Sequence, residues 1–387
     1  MDNVTMSDPL FDPFILRDLR LPNRIVMAPM TRNRSPNGIP NDAVVAYYRR
    51  RAEGGVGLIV TEGVGIPHGS ALGGGSMKER DVPFLYGTDA LEGWRRVVEA
   101  VHEAGGLIFP QLWHMGPIRE DGTGPTPDAP SSRPSGLWGP AGRKGTVPED
   151  YVWRVLPKRP AMTEGEIADI ITAFAEAARN AIAVGFNGIA IHGAHGYLID
   201  AFLWSETNRR TDRWGGDIGA RTRFAAEIVR AIRSAIGPTV SIMFRYSQWK
   251  QQDYEAELAR NPTELERLLA PLVDAGVDLF DVSTRRFEQP AFSGSPLTLA
   301  GWTRHVTSLP VMAVGGVGLD RDLYGSYAAG GSAGFNNLDL VRARLAAHEF
   351  DLIGVGRGLI ADPGWVCKAA SGAPFIAFDP ASVKHLV

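Results

Sequence analysis

The chain has 387 residues, of which 44% are hydrophobic and 21% charged, an ordinary globular composition long enough to bury a core without staples. A formal net charge of −3 gives no pull towards nucleic acid or an anionic membrane, and no apolar run approaches the roughly 18 residues of a membrane span. Cys367 is the only cysteine, which excludes an intrachain disulfide and any Cys-based zinc or iron–sulfur site.

In chain order, Met1 to Pro9 is polar and acidic, lacks the basic and apolar regions of a signal peptide, and is expected to be a flexible lead into a cytoplasmic domain. Residues 11–22 predict a hairpin that closes a barrel bottom. Short apolar runs then recur at 24–30, 57–62, 107–113, 188–192, 240–245, 278–283, 311–315 and 351–355. Most are continuous, as expected of parallel strands covered on both faces.

Helical patterns separate these runs. Thr163 and Glu166 form a capping box ahead of Ile167, Ile170, Ile171, Phe174 and Ala178 at helical spacing. Phe224, Ile228 and Ile232 mark a second helix. Asn261-Pro262 opens a third through Leu265, Leu268, Leu269 and Leu272, which Pro271 should kink or shorten. Gly185 and Gly276 stand where helices must stop.

Eight strands with intervening helices suit a closed barrel better than an open doubly wound sheet. The fold expectation is α/β: a single (β/α)8 TIM barrel over residues 1–387, with an N-terminal hairpin and long loops after strands 3 and 7. A barrel needs about 250 residues. The surplus lies in 116–160, rich in Pro, Gly and Ser, and in 319–337, which looks flexible. Neither carries a core pattern of its own, so no second domain is assigned.

Reactive groups of such barrels gather at the carboxyl ends of the strands. The first strand ends Ala28-Pro29-Met30-Thr31, offering a hydroxyl, and the third ends at Gln111 and Trp113, offering an amide. The fourth runs into His192-Gly193-Ala194-His195-Gly196-Tyr197, and the fifth ends in Arg245. The seventh leads into Gly315-Gly316-Val317-Gly318 and the eighth into Gly356-Arg357-Gly358. Each glycine run alone suits a tight turn. Together, after the last two strands, they favour a phosphate site with Arg357 adding charge. His192 and His195 suit structural roles, metal ligation lacking an obvious third ligand, or a paired N–H grip on a developing oxyanion. Tyr197 could deliver a proton. No G-x-G-x-x-G and no P-loop occur, so a Rossmann domain is unsupported.

Asn23–Arg32, Gln111-Leu112-Trp113, His192-x-x-His195-x-Tyr197, Asn208-x-Arg210-Thr211-Asp212-x-Trp214-Gly215-Gly216 and Gly354-x-Gly356-Arg357 together resemble the Old Yellow Enzyme family of ene-reductases, from about Phe11 to Gly364. The resemblance implies a non-covalently bound FMN. Ala28, Pro29 and Met30 would lie beside its ring system, with Thr31, Gly63 and Gln111 at its polar edge. Arg245 would offset charge on the reduced ring, and Gly316, Val317, Gly356 and Arg357 would hold the phosphate. His192 and His195 would bind the substrate carbonyl, with Tyr197 as proton donor. The implied reaction takes hydride from NADPH or NADH and reduces the C=C bond of an enone-type small molecule, with no nucleic-acid or membrane partner. Ala220 departs from the asparagine usual in the family.

Three rival readings accompany this one. The chain could be a related flavoenzyme working as a desaturase, isomerase or biosynthetic redox enzyme on a larger substrate. It could be a metal-dependent hydrolase using His192 and His195 as ligands, or a non-catalytic flavin-binding protein. Residues 116–160, with Trp138, Tyr151 and Trp153, either shape the substrate pocket or pack against the barrel.

Overall fold

The computed structural model describes residues 8–75 and 79–387. A two-stranded hairpin, β1 (Phe14–Leu16) and β2 (Leu19–Leu21), precedes eight parallel strands that close into a barrel. These are β3 (Ile25–Met27), β4 (Leu58–Gly65), β5 (Ile108–Trp113), β6 (Gly188–His192), β7 (Ser241–Tyr246), β8 (Leu279–Ser283), β9 (Val311–Val314) and β10 (Leu352–Val355), which pairs back onto β3. Each expected strand is present, with ends moved by up to three residues.

The helices are α1 (Asp42–Glu53), α2 (Thr88–Glu103), α3 (Glu149–Val155), α4 (Glu164–Ala183), α5 (Leu198–Leu203), α6 (Ile218–Arg221) and α7 (Arg223–Ile236). They continue as α8 (Pro262–Ala275), α9 (Leu299–Thr307), α10 (Leu323–Ala328), α11 (Leu338–Ala346), α12 (Arg357–Ala361) and α13 (Trp365–Ser371). Among the described residues no helix is long and apolar enough to cross a membrane.

Alternation along the strands sorts side chains into two cores. Val26, Leu58, Val60, Phe109, Ala190, Met243, Leu279, Met312 and Leu352 face inward and pack with Leu16 and Leu21 of the hairpin. The hairpin thus plugs the lower end, and Arg17 in its turn pairs with Asp278 at the foot of β8 at 2.5 Å. Their neighbours Ile25, Ile59, Ile108, Ile189, Ile191, Ile242, Phe280 and Ile353 face outward into the larger core under the helices. Each such side chain contributes roughly 1.5–3 kcal/mol on full burial. That double burial is why the strands read as unbroken apolar runs.

The helix signals act locally as expected. Thr163 Oγ1 accepts from Glu166 N–H while Glu166 Oε2 accepts from Thr163 N–H at 2.7 Å, closing the capping box. Asn261 caps α8, and Gly276 ends it in the left-handed region at φ +103°. Pro271 neither ends nor shortens α8, which runs on to Ala275. A mid-helix proline costs about 3 kcal/mol, and the fully buried Leu265, Leu268, Leu269 and Leu272 around it offset that cost.

Both long loops prove to be built structures. In 116–160, Arg119 and Arg133 are buried and donate to the carbonyls of Leu72, Thr123, Thr126 and Ala129, and of Val155 and Pro157, respectively. They satisfy backbone groups that a Pro- and Gly-rich segment cannot pair by itself. Trp138, Tyr151 and Val155 form a satellite core, while Trp153 is exposed. The loop therefore has a core of its own, contrary to expectation. The 319–337 segment contains α10, and its Leu319 packs with Ile360 and Phe378. The expectation of a flexible 1–9 falls mostly on residues 1–7, outside the described residues; Asp8 accepts from Arg342 at 2.7 Å.

Candidate active site

The alternation that fills the barrel also selects what caps it. Two residues beyond inward Phe109, Ala190, Met243 and Leu279 stand Gln111, His192, Arg245 and Asp281, so polar groups form the top inward layer. Strand register sets them in a row, with His192 opposite Arg245 and Arg245 opposite Asp281. Arg245 Nε donates to Asp281 Oδ2 at 2.6 Å, and both side chains are at least 95% buried. Burial pushes the Asp281 carboxyl up, and Arg245 only partly counters it.

On the other side of the row, β4 carries a bulge. Its register with β5 jumps from Val60–Phe109 to Gly63–Gln111, across Pro110. Proline has no N–H for the ladder, so irregular pairing beside it costs little. Thr61 Oγ1 accepts from Gln111 N–H at 3.1 Å. Glu62 Oε2 accepts the N–H groups of Arg32 and Asn33 at 2.8 and 3.1 Å, holding the chain just beyond Thr31. Burial pushes Glu62 up to about 7, against those two hydrogen bonds and the Arg32 charge. Gly63 is bare for a reason: a Cβ there would stand 2.6 Å from the Trp113 ring.

The turn after β6 brings its rings together. His195 sits in the left-handed region at φ +66°, a conformation costing a non-glycine residue roughly 1–2 kcal/mol. Residues after β7 hold it there. Ser247 Oγ accepts from His195 N–H at 3.0 Å, and the Trp249 indole stacks on the imidazole at 4.2 Å between centroids. Gln251 donates to the His195 carbonyl, and Asp200 Oδ2 accepts from Gly196 N–H at 2.6 Å. Asp200 is itself paired with Lys250 at 2.9 Å, both fully buried. Burial lifts the Asp200 carboxyl to about 6 against the pull of Lys250, and burial lowers the Lys250 ammonium.

The result is a compact set of rings. His192 lies 5.1 Å from His195 and 4.8 Å from Tyr197, both edge-on, and Trp113 meets Tyr197 edge-on at 4.9 Å. Burial, then the Arg245 charge, holds His192 well below the usual imidazole range. His195 is lowered by burial and then by His192, Arg245 and Lys250. Both are neutral near pH 7. Ala194 N–H donates to Nδ1 of His192 at 3.4 Å, leaving Nε2 as the N–H donor. His195 Nε2 lies 2.8 Å from Ser283 Oγ. Burial and then Glu79 push the Tyr197 phenol up, with a Gln251 hydrogen bond acting in the opposite direction, so the phenol keeps its proton.

The barrel mouth fits a flat ring with polar edges. Among the described residues Gln111 Nε2 and Arg245 Nη2 are buried without a hydrogen-bond partner; Gln111 stands opposite Gly63 in the strand register and Arg245 opposite His192. Buried donors are normally satisfied, and the carbonyl and nitrogen edge of a flavin would supply the missing acceptors. Ala28 is pinned by its N–H to the Val355 carbonyl at 3.0 Å, with Pro29, Met30 and Thr31 half-buried beyond it. Gly316 (φ +70°), Val317 and Gly356 meet at the ends of the paired strands β9 and β10. Arg357 differs from expectation in its contacts. Its guanidinium donates to the carbonyls of Arg321 and Asp322 and to Ser326 Oγ, bracing the 319–337 segment.

Several of these residues carry no motif. Asp281 could have been noticed as a carboxylate inside an apolar run, two positions beyond inward Leu279. The polar stretch Ser247–Gln252 lies where a top-face loop must be, but its partners His195, Gly196 and Asp200, just beyond β6, lie some fifty residues away. Asn208, Arg210 and Trp214, prominent in the sequence, are structural. They bond to Phe202 and Trp214 carbonyls, to Pro134 and Met162 carbonyls, and to Glu164, tying the 116–160 loop to α4. Among the described residues no three His, Cys, Asp or Glu side chains are grouped to hold a metal.

Comparison with known proteins agrees with this geometry. Residues 9–375 match the model of the NADH:flavin oxidoreductase / NADH oxidase family. The chain is 42% identical over 245 residues to 12-oxophytodienoate reductase 7 of Oryza sativa subsp. japonica, an alignment covering 59% of this chain and 56% of that protein. It is 34% identical over 373 residues to a metal reductase of Desulforamulus reducens, covering 94% of this chain and 49% of that one. The matches thus span about half the length of these curated relatives. Among solved structures, morphinone reductase in complex with tetrahydroNAD superposes with a TM-score of 0.76 at 28% identity, covering 97% of this chain and 93% of that one.

Proposed function

We propose that this chain, which belongs to the NADH:flavin oxidoreductase / NADH oxidase family, is an FMN-dependent ene-reductase that uses NAD(P)H to reduce the C=C bond of enone-type substrates. The observation that carries this reading is the convergence of two neutral imidazoles and one protonated phenol beside orphaned buried donors at the barrel mouth. FMN, when bound, supplies the carrier that accepts hydride from the nicotinamide and passes it to the alkene carbon.

The protein's part follows from its atoms. Gln111 Nε2 and Arg245 Nη2 would hold the polar edge of the cofactor, with Gly63 and Thr31 beside them. Ala28, Pro29 and Met30 would form a backbone wall, and Gly316, Val317 and Gly356 would surround the phosphate, with Arg357 contributing its backbone N–H while its guanidinium braces the 319–337 segment. His192 Nε2–H and the His195 ring hold the substrate carbonyl oxygen and stabilise the charge that develops there. Neutral imidazoles suit this task, because each offers a donor without repelling Arg245. Tyr197 gives its proton to the carbon beside the carbonyl. The Gln251 amide, donating to the phenol oxygen, leaves the O–H free to point at substrate and stabilises the phenolate left behind. Trp113 and Trp249 exclude water from the same space.

The test is an anaerobic visible spectrum of the purified protein. NADPH should bleach a flavin band and cyclohexenone should restore it. A band that bleaches but never returns with any enone would remove alkene reduction and leave another oxidant to be found.

A further inference from the structure

From His195 an unbroken series of ring contacts leads away from the site. Trp249 stacks on His195, Tyr254 meets Trp249 edge-on at 5.3 Å, and Tyr324 lies 5.7 Å from Tyr254. The series ends in two cations: the Arg285 guanidinium over Tyr254 at 4.8 Å and the Lys144 ammonium over Tyr324 at 5.1 Å. Four loops converge here, those after β5, β7, β8 and β9, and the Lys144 carbonyl accepts from Tyr254 N–H at 2.8 Å.

These two cations differ from their sequence neighbours. Arg143 pairs with Asp253 at 3.8 Å and Arg286 with Glu288 at 2.6 Å, whereas Arg285 and Lys144 have no carboxylate partner among the described residues. A carboxylate of the same rim, Asp322, is already engaged: it caps α10 through Gly325 N–H and accepts the Tyr254 hydroxyl. Cation–π contacts at an exposed rim are weak, so a charge-assisted contact to phosphate would displace them readily.

Resting on the ene-reductase reading above, we infer that Arg285 and Lys144 form a subsite for a phosphate of the reduced nicotinamide dinucleotide. The ring series ties these two cations to the loops around His195, so a dinucleotide with its nicotinamide at His192 and His195 and its phosphates extended towards Tyr254 and Tyr324 would meet them there. Arg285, one ring closer to His195, meets phosphate before Lys144 does. The chain lacks a Rossmann motif, so the donor's phosphates need some other cationic partner, and this pair supplies it.

The experiment uses the FMN-loaded enzyme with two probes, adenosine 2′,5′-bisphosphate and ADP, read by titration calorimetry, alongside the Kd of NADPH and NADH from rapid flavin reduction. Arg285→Ala and Lys144→Ala should each raise Kd on the order of 10-fold, and wild-type affinity should fall with salt. A loss confined to NADPH and the bisphosphate would place the 2′-phosphate at the subsite; an equal loss for both probes would place the diphosphate. Unchanged affinities in both variants would overturn the inference, as would loss of bound FMN from Arg285→Ala, which would make Arg285 a cofactor ligand. Wild-type flavin that NADPH does not reduce would instead sink the ene-reductase reading.

Discussion

Replacing Glu62 with glutamine probes how the barrel holds the loop that follows β3. Glu62 is buried, accepts the Arg32 and Asn33 N–H groups through Oε2, and leaves Oε1 without a hydrogen-bond partner among the described residues. Its carboxyl is raised from an ordinary 4.5 to about 7, chiefly by burial. A group whose folded pKa is raised holds its proton more tightly when folded, so its stabilising contribution is complete below pH 4.5 and is lost as pH rises through 7. The shift corresponds to about 3 kcal/mol between those limits. Glutamine keeps an acceptor for the two N–H groups and mimics the protonated acid, but it cannot ionise. Chemical denaturation of wild type and Glu62→Gln at pH 5 and pH 8 should therefore show the variant gaining up to about 3 kcal/mol relative to wild type as pH rises. Other titrating groups, Asp200 included, cancel in that difference because they are common to both proteins. Parallel stability–pH curves would refute the argument, showing that Glu62 is ionised throughout and satisfied by Arg32.

Tyr197→Phe should slow enone reduction by at least about 100-fold and leave flavin reduction by NADPH nearly unchanged; stopped-flow measurement of the two half-reactions separates them, and unchanged alkene turnover would remove Tyr197 from its role. His192→Ala should weaken binding of phenols that mimic the enolate by roughly 10-fold or more, read from the charge-transfer band of the flavin–phenol complex. Undiminished phenol affinity would count against the oxyanion assignment. Lys250→Met leaves Asp200 buried without its cation and should destabilise the fold by about 3–5 kcal/mol in urea unfolding monitored by tryptophan fluorescence. A loss below 1 kcal/mol would mean that Asp200 is neutral beside Lys250.

Much of the fold could be read because its physics is local. A strand buried on both faces must be apolar throughout, so all eight runs were visible, and the capping groups of α4 and α8 lie within three residues of what they cap. The N-terminal hairpin was also legible, since β1 and β2 are joined by a two-residue turn. His192, His195 and Tyr197, the proposed catalytic residues at and beyond the end of β6, share one short stretch, and the glycine turns after β9 and β10 announce themselves by composition. Pro271 misled because its cost is local while the leucine packing that outweighs it comes from neighbouring elements.

Closure of the barrel decided the rest. Only the β6–β7–β8 register sets His192, Arg245 and Asp281 in one row, and only the β4–β5 bulge turns Glu62 under the Thr31 loop. The clamp of Ser247, Trp249, Lys250 and Gln251 on the His195 turn joins segments about fifty residues apart, and no periodicity encodes which loop meets which. The same holds for Arg119, Arg133 and Arg357, whose guanidinium groups find backbone carbonyls that exist as unpaired acceptors only once their loops are folded. Sequence determined which residues are inside and which groups are reactive, because hydrophobicity and chemical type belong to each residue. Tertiary structure decided their partners, because burial, ionisation and hydrogen bonding depend on what the closed chain brings within a few ångströms.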